Sequence, residues 1–133
     1  MNWKLEVVVV PVTDVDQSKR FYSEQLPFDV DVDYRAGDDF RVVQLTPPGS
    51  ACSVSLMRDE GRAGQLRGLH LIVPDIEAAQ QELSRGGVKV DGPFFFEDGE
   101  QRPGLHPERA DYGSFLSFSD PDGNAWMVQE VRA

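Results

Sequence analysis

The sequence predicts an α+β fold built from two copies of a βαβββ module. Two observations predict it: short apolar segments separated by turn residues run through the whole chain, and one strand-to-helix junction occurs twice. Residues 12–15 (VTDV) follow an apolar strand and open an amphipathic helix, and residues 73–76 (VPDI) do the same in the second half. A repeated supersecondary unit indicates a fold more strongly than any single element does.

The first half of the chain supplies a strand, a helix and three further strands. Asp14 is a good N-cap for a helix over residues 15–26, which Pro27 ends. Apolar residues alternate with acidic ones from residue 28, which predicts a half-exposed strand with its aspartates on one face. The predicted strands of this half cover residues 3–12, 28–34, 40–46 and 51–57.

The second half repeats this order. Asp75 caps its helix, and two glycines at positions 86 and 87 end it. Residues 97–110 predict a polar loop. The predicted strands cover residues 68–73, 88–96, 112–119 and 124–131. We expect one domain over residues 1–133, with module one at 1–58, a linker at 59–66 and module two at 67–133.

Charge and composition narrow the class of partner. The 133-residue chain has 13 Lys and Arg against 23 Asp and Glu, a net charge of −10. That balance argues against nucleic acid and against membrane surfaces, and no apolar run approaches the roughly 20 residues that span a bilayer. The single cysteine, Cys52, excludes an internal disulfide. We expect a cytoplasmic protein whose acidic balance serves solubility or attracts a cationic ligand.

Three segments together resemble the vicinal-oxygen-chelate superfamily, which includes glyoxalases, bleomycin-resistance proteins and dioxygenases. They are residues 12–14 with the helix positions Ser18, Phe21 and Tyr22, residues 69–75 (LHLIVPD), and residues 120–124 (DPDGN) before the last strand. The three segments span almost the whole chain. The resemblance implies that the two modules curl their mixed sheet into a cup that binds a small molecule or a metal.

In metal-dependent members of that superfamily, the first and last strands of each module each send one His, Glu or Gln to the metal. Aligning the junctions and turns places these positions at Val7, Gly68, Met127 and Ser55, or Ser53 if the turn is the anchor. None of these side chains is a credible ligand for a hard or borderline cation. We therefore expect neither a metal nor another cofactor.

The inner face of the implied cup is the expected ligand site. Val9, His70 and Gln129 each lie two residues from one of the four metal positions and share its strand face. His106 and Tyr112 belong to or flank a loop long enough to cover a site. The pattern favours a solvated loop for His106 and surface or edge packing for Tyr112 over a role in the site. The predicted ligand-binding residues are Val7, Val9, Ser53, Ser55, Gly68, His70, His106, Tyr112, Met127 and Gln129.

Three functions stay open at this point. The first, which we favour, is metal-independent binding of a small cationic or aromatic molecule, similar to the drug-sequestering branch of the superfamily. The second is a glyoxalase-like lyase or isomerase with His70 as its acid and base. The third is a divergent metal-dependent enzyme. Glu6 and Glu130 alternate away from the inner face, and the apolar run at residues 94–96 favours a homodimer.

Overall fold

The chain forms two compact units, each containing one β-sheet and one α-helix. A computed structural model describes residues 1–132. Unit 1 comprises Met1–Leu66 and Asp120–Asn124, and unit 2 comprises Arg67–Ser119 and the chain from Ala125 onward. The α+β class and the repeated module are confirmed. Among the described residues, no helix has the length and apolar character to cross a membrane.

Unit 1 has a four-stranded sheet in the order β1-β4-β3-β2. Strands β1 and β4 are parallel, and the other neighbours are antiparallel. Its helix is capped by Asp14, whose carboxylate accepts a hydrogen bond from the Gln17 amide at 3.0 Å. The elements are β1 (Val7–Val12), α1 (Val15–Arg20), a π-helical turn (Phe21–Gln25), β2 (Asp29–Ala36), β3 (Phe40–Thr46) and β4 (Ser53–Arg58).

One face of this sheet forms the core of unit 1 beside α1. Strand alternation sends every second side chain to that face, and these positions are apolar. The side chains buried there include Val10, Val12, Val43, Leu45, Val54 and Leu56. The opposite face is therefore left for Val7, Val9, Ser53 and Ser55.

Strand β2 differs from its sequence prediction in exposure and in register. All eight of its residues are exposed, because β2 is an edge strand. Its pairing with β3 shifts between Val30, which faces Leu45, and Val32, which faces Gln44. The extra residue in this β-bulge is Asp31. The bulge interrupts the alternation, so the predicted single acidic face of this strand is wrong.

Asp33 lies beyond the bulge and forms ion pairs with two cations. It accepts hydrogen bonds from Arg41 Nε at 3.0 Å and Nη2 at 2.9 Å, and from Lys19 Nζ at 2.8 Å. These hydrogen bonds hold the pKa of Asp33 well below its usual range. The same arginine also pairs with Asp16 of α1, so this charge cluster fastens the helix to β2 and β3.

We expect Asp33→Asn to flatten the acid side of the stability profile. The pKa of Asp33 is lower in the folded chain than the 3.8 of a free carboxyl, so its contribution is complete above about pH 4. That contribution disappears as the pH falls through the folded-state value. Because these side chains are partly exposed to solvent, which screens their charges, the ion pairs of Asp33 contribute roughly 1 kcal/mol to the free energy of unfolding. Urea midpoints at several pH values test this, with Asp29→Asn of the same strand as control; an unchanged acid slope would contradict it.

Unit 2 has a five-stranded sheet in the order β5-β9-β8-β6-β7, with β5 and β9 parallel. The elements are β5 (Leu69–Val73), α2 (Ile76–Arg85), β6 (Asp91–Glu97), β7 (Glu100–Pro103), β8 (Phe115–Ser119) and β9 (Ala125–Glu130). Asp75 caps α2 as predicted. The core beside α2 includes Ile76, Leu83, Leu116, Phe118, Trp126 and Val128.

Strand β7 is absent from the sequence prediction, which placed a polar loop over residues 97–110. A tight turn at Asp98 and Gly99, both with positive φ, reverses the chain after β6 and pairs Glu100 with Glu97. All four residues of β7 are exposed. An edge strand with no buried face has no apolar alternation to reveal it.

The segment Asp120–Asn124 forms a turn, and it also makes buried hydrogen bonds to distant parts of the chain. Asn124 is fully buried, and its Nδ2 donates to the Pro11 carbonyl at 3.0 Å and to Asp120 Oδ2 at 2.8 Å. Its Oδ1 accepts from the Leu66 amide at 3.1 Å. These bonds fasten a late part of the chain to the end of β1 and to the linker, which explains why the segment belongs to unit 1.

Candidate functional site

The parallel pairing of β1 with β4 brings four of the predicted site residues together in unit 1. Val7 pairs with Ser53, and Val9 pairs with Ser55. All four alternate with the core residues of their strands, so they lie on the sheet face opposite α1. We call this surface, formed by Val7, Val9, Ser53 and Ser55, the serine face.

The serine face combines a buried polar floor with an exposed apolar edge. Ser53 is 7% exposed and Ser55 is 6% exposed, whereas Val9 is 49% exposed. Val9 belongs to β1, which is an edge strand of the sheet. An apolar side chain left open beside buried hydroxyls is typical of a small-molecule surface.

A cavity of about 470 Å³ lies at the carboxyl end of β1 and β4 and reaches Val9. Its volume is in the range of small-molecule sites. Apolar side chains of Val9, Met57 and Leu66 contribute to it, and charged side chains of the linker complete it. Its lining residues are Val9, Pro11, Met57, Arg58, Asp59, Arg62, Gln65 and Leu66.

A second cleft of about 390 Å³ in unit 1 has a strongly charged lining that includes Asp14, Asp16, Arg41 and Arg58. Three of its charged residues form ion pairs within the chain. Arg41 pairs with Asp16, and Arg58 donates to Glu60 at 2.7 Å. The cleft contains none of the predicted site residues, whereas the cavity contains Val9, so the cavity is the stronger candidate.

In unit 2 the parallel pairing of β5 with β9 brings His70 beside Met127 and Ile72 beside Gln129. His70 is exposed, and its Nδ1 lies 2.7 Å from the Gly68 carbonyl oxygen. In a neutral ring Nδ1 therefore donates the hydrogen bond, which leaves the lone pair on Nε2. Gly68 itself precedes the strand and has a φ of +82°.

The register also defines which positions of the two sheets correspond. Val12 pairs with Arg58 in one sheet, and Val73 pairs with Glu130 in the other. Three residues before each of these pairs lie Val9 and Ser55 in the first sheet, and His70 and Met127 in the second. These two pairs therefore occupy equivalent positions. Ser55, rather than Ser53, is therefore the equivalent of Met127.

His106 and Tyr112 lie in the loop before β8, and backbone contacts hold both. His106 Nδ1 accepts from the Glu108 amide at 3.1 Å, and its ring meets Phe95 edge-on at 6.1 Å between centroids. Tyr112 is 57% exposed, and its amide donates to the Glu130 carbonyl at 2.8 Å. A ligand-binding role for these two residues stays a prediction.

Glu130 and Arg109 anchor this loop, a contact that sequence reasoning did not identify. Glu130 is fully buried and accepts from Arg109 Nε at 2.9 Å, from Arg109 Nη2 at 2.6 Å and from the Ile76 amide at 2.9 Å. The guanidinium of Arg109 lowers the pKa of Glu130 below its usual value. The one available signal was a carboxylate at a core-facing position of an otherwise apolar alternation.

Comparison with known proteins defines the family. A model of the Glyoxalase/Bleomycin resistance protein/Dioxygenase superfamily matches residues 4–128. The chain belongs to this superfamily. This chain is 32% identical to TnmS3, an antibiotic binding protein from Streptomyces sp. CB03234. The two structures superpose with a TM-score of 0.77, and the match covers 97% of this chain and 96% of TnmS3.

Two further relatives align with this chain over almost its whole length. A glyoxalase/bleomycin resistance protein from Streptomyces sp. CB03234 is 32% identical, with a TM-score of 0.71 and coverage of 95% of this chain and 99% of that chain. The uncharacterized Bacillus subtilis (strain 168) protein YetH is 23% identical over 130 residues, which is 96% of this chain and 98% of YetH.

The four positions predicted to correspond to the metal ligands of the superfamily hold poor ligands in this chain. Val7 and Gly68 have no donor side chain, and Met127 offers only a thioether. Serine at the fourth position is a weak ligand at best. Across residues 1–132, no three His, Cys, Asp or Glu side chains come close enough to hold an ion together. These side chains do not fit a metal.

Proposed function

We propose that this protein binds a small aromatic molecule on the serine face of unit 1, without a metal and without transforming it. The proposed ligand contacts in unit 1 are Val7, Val9, Ser53 and Ser55. A role in ligand binding for the predicted residues of unit 2 stays a separate prediction for Gly68, His70, His106, Tyr112, Met127 and Gln129. The observation that carries the proposal is the half-exposed Val9 at the edge of a cavity of about 470 Å³. The antibiotic binding by TnmS3 supports it by analogy.

The charged side chains of that cavity favour an aromatic ligand over a purely aliphatic one. Arg58 and Arg62 belong to the lining, and a guanidinium stacks favourably on an aromatic ring. Asp59 provides an acceptor beside them. Apolar contact with Val9 and Met57 would supply most of the binding free energy, because burial of apolar area is its main source.

Titration with a neutral aromatic probe tests the proposal. We expect chelator-treated protein to bind 2-naphthol saturably, one molecule per chain, with a dissociation constant below ~1 mM for a ligand of this size. Calorimetry or NMR titration measures it. Binding that appears only after a divalent metal is added back would contradict the metal-independent proposal.

Two matched substitutions locate the site. Val9→Asp is expected to weaken 2-naphthol binding about tenfold or more, because it places a carboxylate against apolar ligand surface. Val30→Asp is the control, since Val30 is 39% exposed on the other edge strand and pairs with the core residue Leu45. Equal effects of the two substitutions would remove the serine face from the proposal.

The hydrogen bond from His70 to the Gly68 carbonyl favours a second candidate function. A ring held with Nε2 unprotonated is suited to remove a proton next to a carbonyl, as a lyase or isomerase requires. Exchange of the carbon-bound protons of hydroxyacetone in D₂O tests this chemistry. Exchange above the buffer rate that is lost in His70→Ala would support it, and exchange at the buffer rate would exclude it for this probe.

The proposal includes a cytoplasmic location and a homodimer. Phe96 is 47% exposed at the end of the apolar run at residues 94–96, which supports association through an apolar surface. Light scattering measures the mass in solution. A mass of 14.9 kDa at all concentrations would contradict the homodimer.

A further inference from the structure

Three side chains form a hydrogen-bonded chain across β2, β3 and β4 of unit 1. Thr46 Oγ1 donates to Asp31 Oδ2, and Thr46 Oγ1 and Ser53 Oγ lie 2.6 Å apart. We call these three residues the hydroxyl relay. It ends on the serine face, at Ser53 beside Val7.

The β-bulge of β2 adds Val32 to the sheet face that Asp31 shares with Thr46. Asp29 pairs with Thr46 and Val32 pairs with Gln44, which shares its face with Ser55. The extra residue lets Asp31 and Val32 both lie on this side of the sheet. Bulges commonly re-aim a side chain beside a functional site. Without it, strand alternation would give these two neighbours opposite faces.

Proton counting fixes the direction of every bond in the relay. An ionised carboxylate only accepts, so Thr46 uses its single proton on Asp31. Thr46 can then only accept from Ser53, so the Ser53 proton is also used. Ser53 therefore presents lone pairs alone to anything bound on the serine face. A ligand must donate a hydrogen bond to satisfy it.

Ser55 adds a second hydroxyl to the same face, two residues from Ser53. The residue is 6% exposed, so both serines belong to the floor of the serine face rather than to its edge.

We propose that the hydroxyl relay makes the serine face selective for ligands that donate an N–H or O–H to Ser53, with a primary ammonium preferred. The inference rests on the proposed small-molecule binding and adds the class of ligand. Ser53 and Met57 lie four residues apart on β4, roughly 13 Å along a strand. A fitting ligand therefore carries its donor at one end and its aromatic part toward the cavity at Met57.

Two cationic probes separate hydrogen-bond donation from charge. 1-Naphthylmethylammonium donates N–H bonds, whereas its N,N,N-trimethyl derivative has the same ring and the same charge but no donor. We expect the wild-type protein to prefer the primary ammonium about tenfold, the effect of one charge-assisted hydrogen bond. Calorimetry at constant ionic strength measures both dissociation constants.

The trimethyl probe is also bulkier than the primary ammonium, so the preference could come from size alone. Three substitutions in the relay separate the contribution of hydrogen bonding from this steric effect. Thr46→Val removes the acceptor of the Ser53 proton, so Ser53 regains a proton to donate and the preference should fall to about twofold. Asp31→Asn introduces an amide that can donate to Thr46, and it should have the same effect. Thr46→Ser preserves the relay and should keep the wild-type preference.

The outcomes separate this inference from the proposal beneath it. Equal binding of the two cations by wild type, or an unchanged preference in Thr46→Val, would overturn the relay inference. Sensitivity of 2-naphthol binding to Val9→Asp would then still support the proposed function. Failure of both cations and of 2-naphthol to bind would overturn both. Circular dichroism confirms that each variant is folded.

Discussion

Glu130→Ala is expected to lower the free energy of unfolding by about 2–3 kcal/mol, below the range for a fully buried ion pair because the side chain of Arg109 is 26% exposed. The carboxylate is fully buried and accepts three hydrogen bonds, two from Arg109 and one from the Ile76 amide at the start of α2. Alanine removes the acceptor of the Ile76 amide and the two shorter contacts of the Arg109 guanidinium, which keeps its 3.5 Å approach to Glu77. Urea unfolding followed by circular dichroism measures the loss.

Glu77 provides the matched control for this experiment. It approaches the same Arg109 at 3.5 Å, but its side chain is 57% exposed. Glu77→Ala should therefore cost less than about 1 kcal/mol, as for a surface ion pair. If the two substitutions proved equally costly, the distinction between a buried anchor and a surface pair would be lost. Faster proteolysis in residues 104–112 of Glu130→Ala would further identify the loop as the affected segment.

Asn124→Ala is expected to lower the free energy of unfolding by about 2–4 kcal/mol, because it removes three hydrogen bonds made by a buried side chain. Two of these bonds join Asn124 to the backbone, at the Pro11 carbonyl and at the Leu66 amide. The segment looks like an ordinary surface turn in the sequence, for which an alanine substitution would be nearly neutral. Thermal and urea unfolding distinguish the two expectations.

Thr13→Val is the control for that prediction. Thr13 Oγ1 donates to Asp122 of the same segment at 2.6 Å, but both residues are solvent-accessible. Water can replace an exposed hydrogen bond, so we expect a loss of no more than about 1 kcal/mol. A loss in Asn124→Ala as small as this would mean that water reaches the Pro11 carbonyl.

The repeated junction is the reason that the fold could be predicted. Each copy combines a strand, an N-capping aspartate and an amphipathic helix, and these local signals agree with one another. Asp14 and Asp75 both cap as expected. Strand β3 was predicted at its observed bounds, Phe40–Thr46, because its alternating residues face a buried core on one side.

The bulge in β2 and the strand β7 could not be predicted, for a shared physical reason. Both belong to sheet edges, where no buried face imposes a period on the sequence. The aspartates of β2 looked equivalent, yet Asp31 joins the hydroxyl relay while Asp33 pairs with Arg41 and Lys19. The one-residue shift in pairing at the bulge puts Asp31 and Asp33 on opposite faces of the sheet. The alternating sequence of this strand contains no signal of that shift.

The candidate site was predictable in its strand faces but not in its polar connections. Alternation alone separates Val9 and Ser55 from the core residues beside them, and the observed register agrees with that separation. The relay depends on side chains from three strands, and the Glu130 anchor depends on an arginine 21 residues earlier in the chain. Such contacts are set by tertiary packing, which a single sequence does not encode locally.

The hydrogen bonds of Asn124 have a consequence for the order in which the protein is synthesised and completes its fold. Leu66 precedes its partner by 58 residues and Pro11 by 113, so both are synthesised long before the amide that satisfies them. The hydrogen bonds from Asn124 to these groups can form only after residue 124 has been synthesised. Unit 1 therefore acquires these buried contacts only once most of unit 2 has been made.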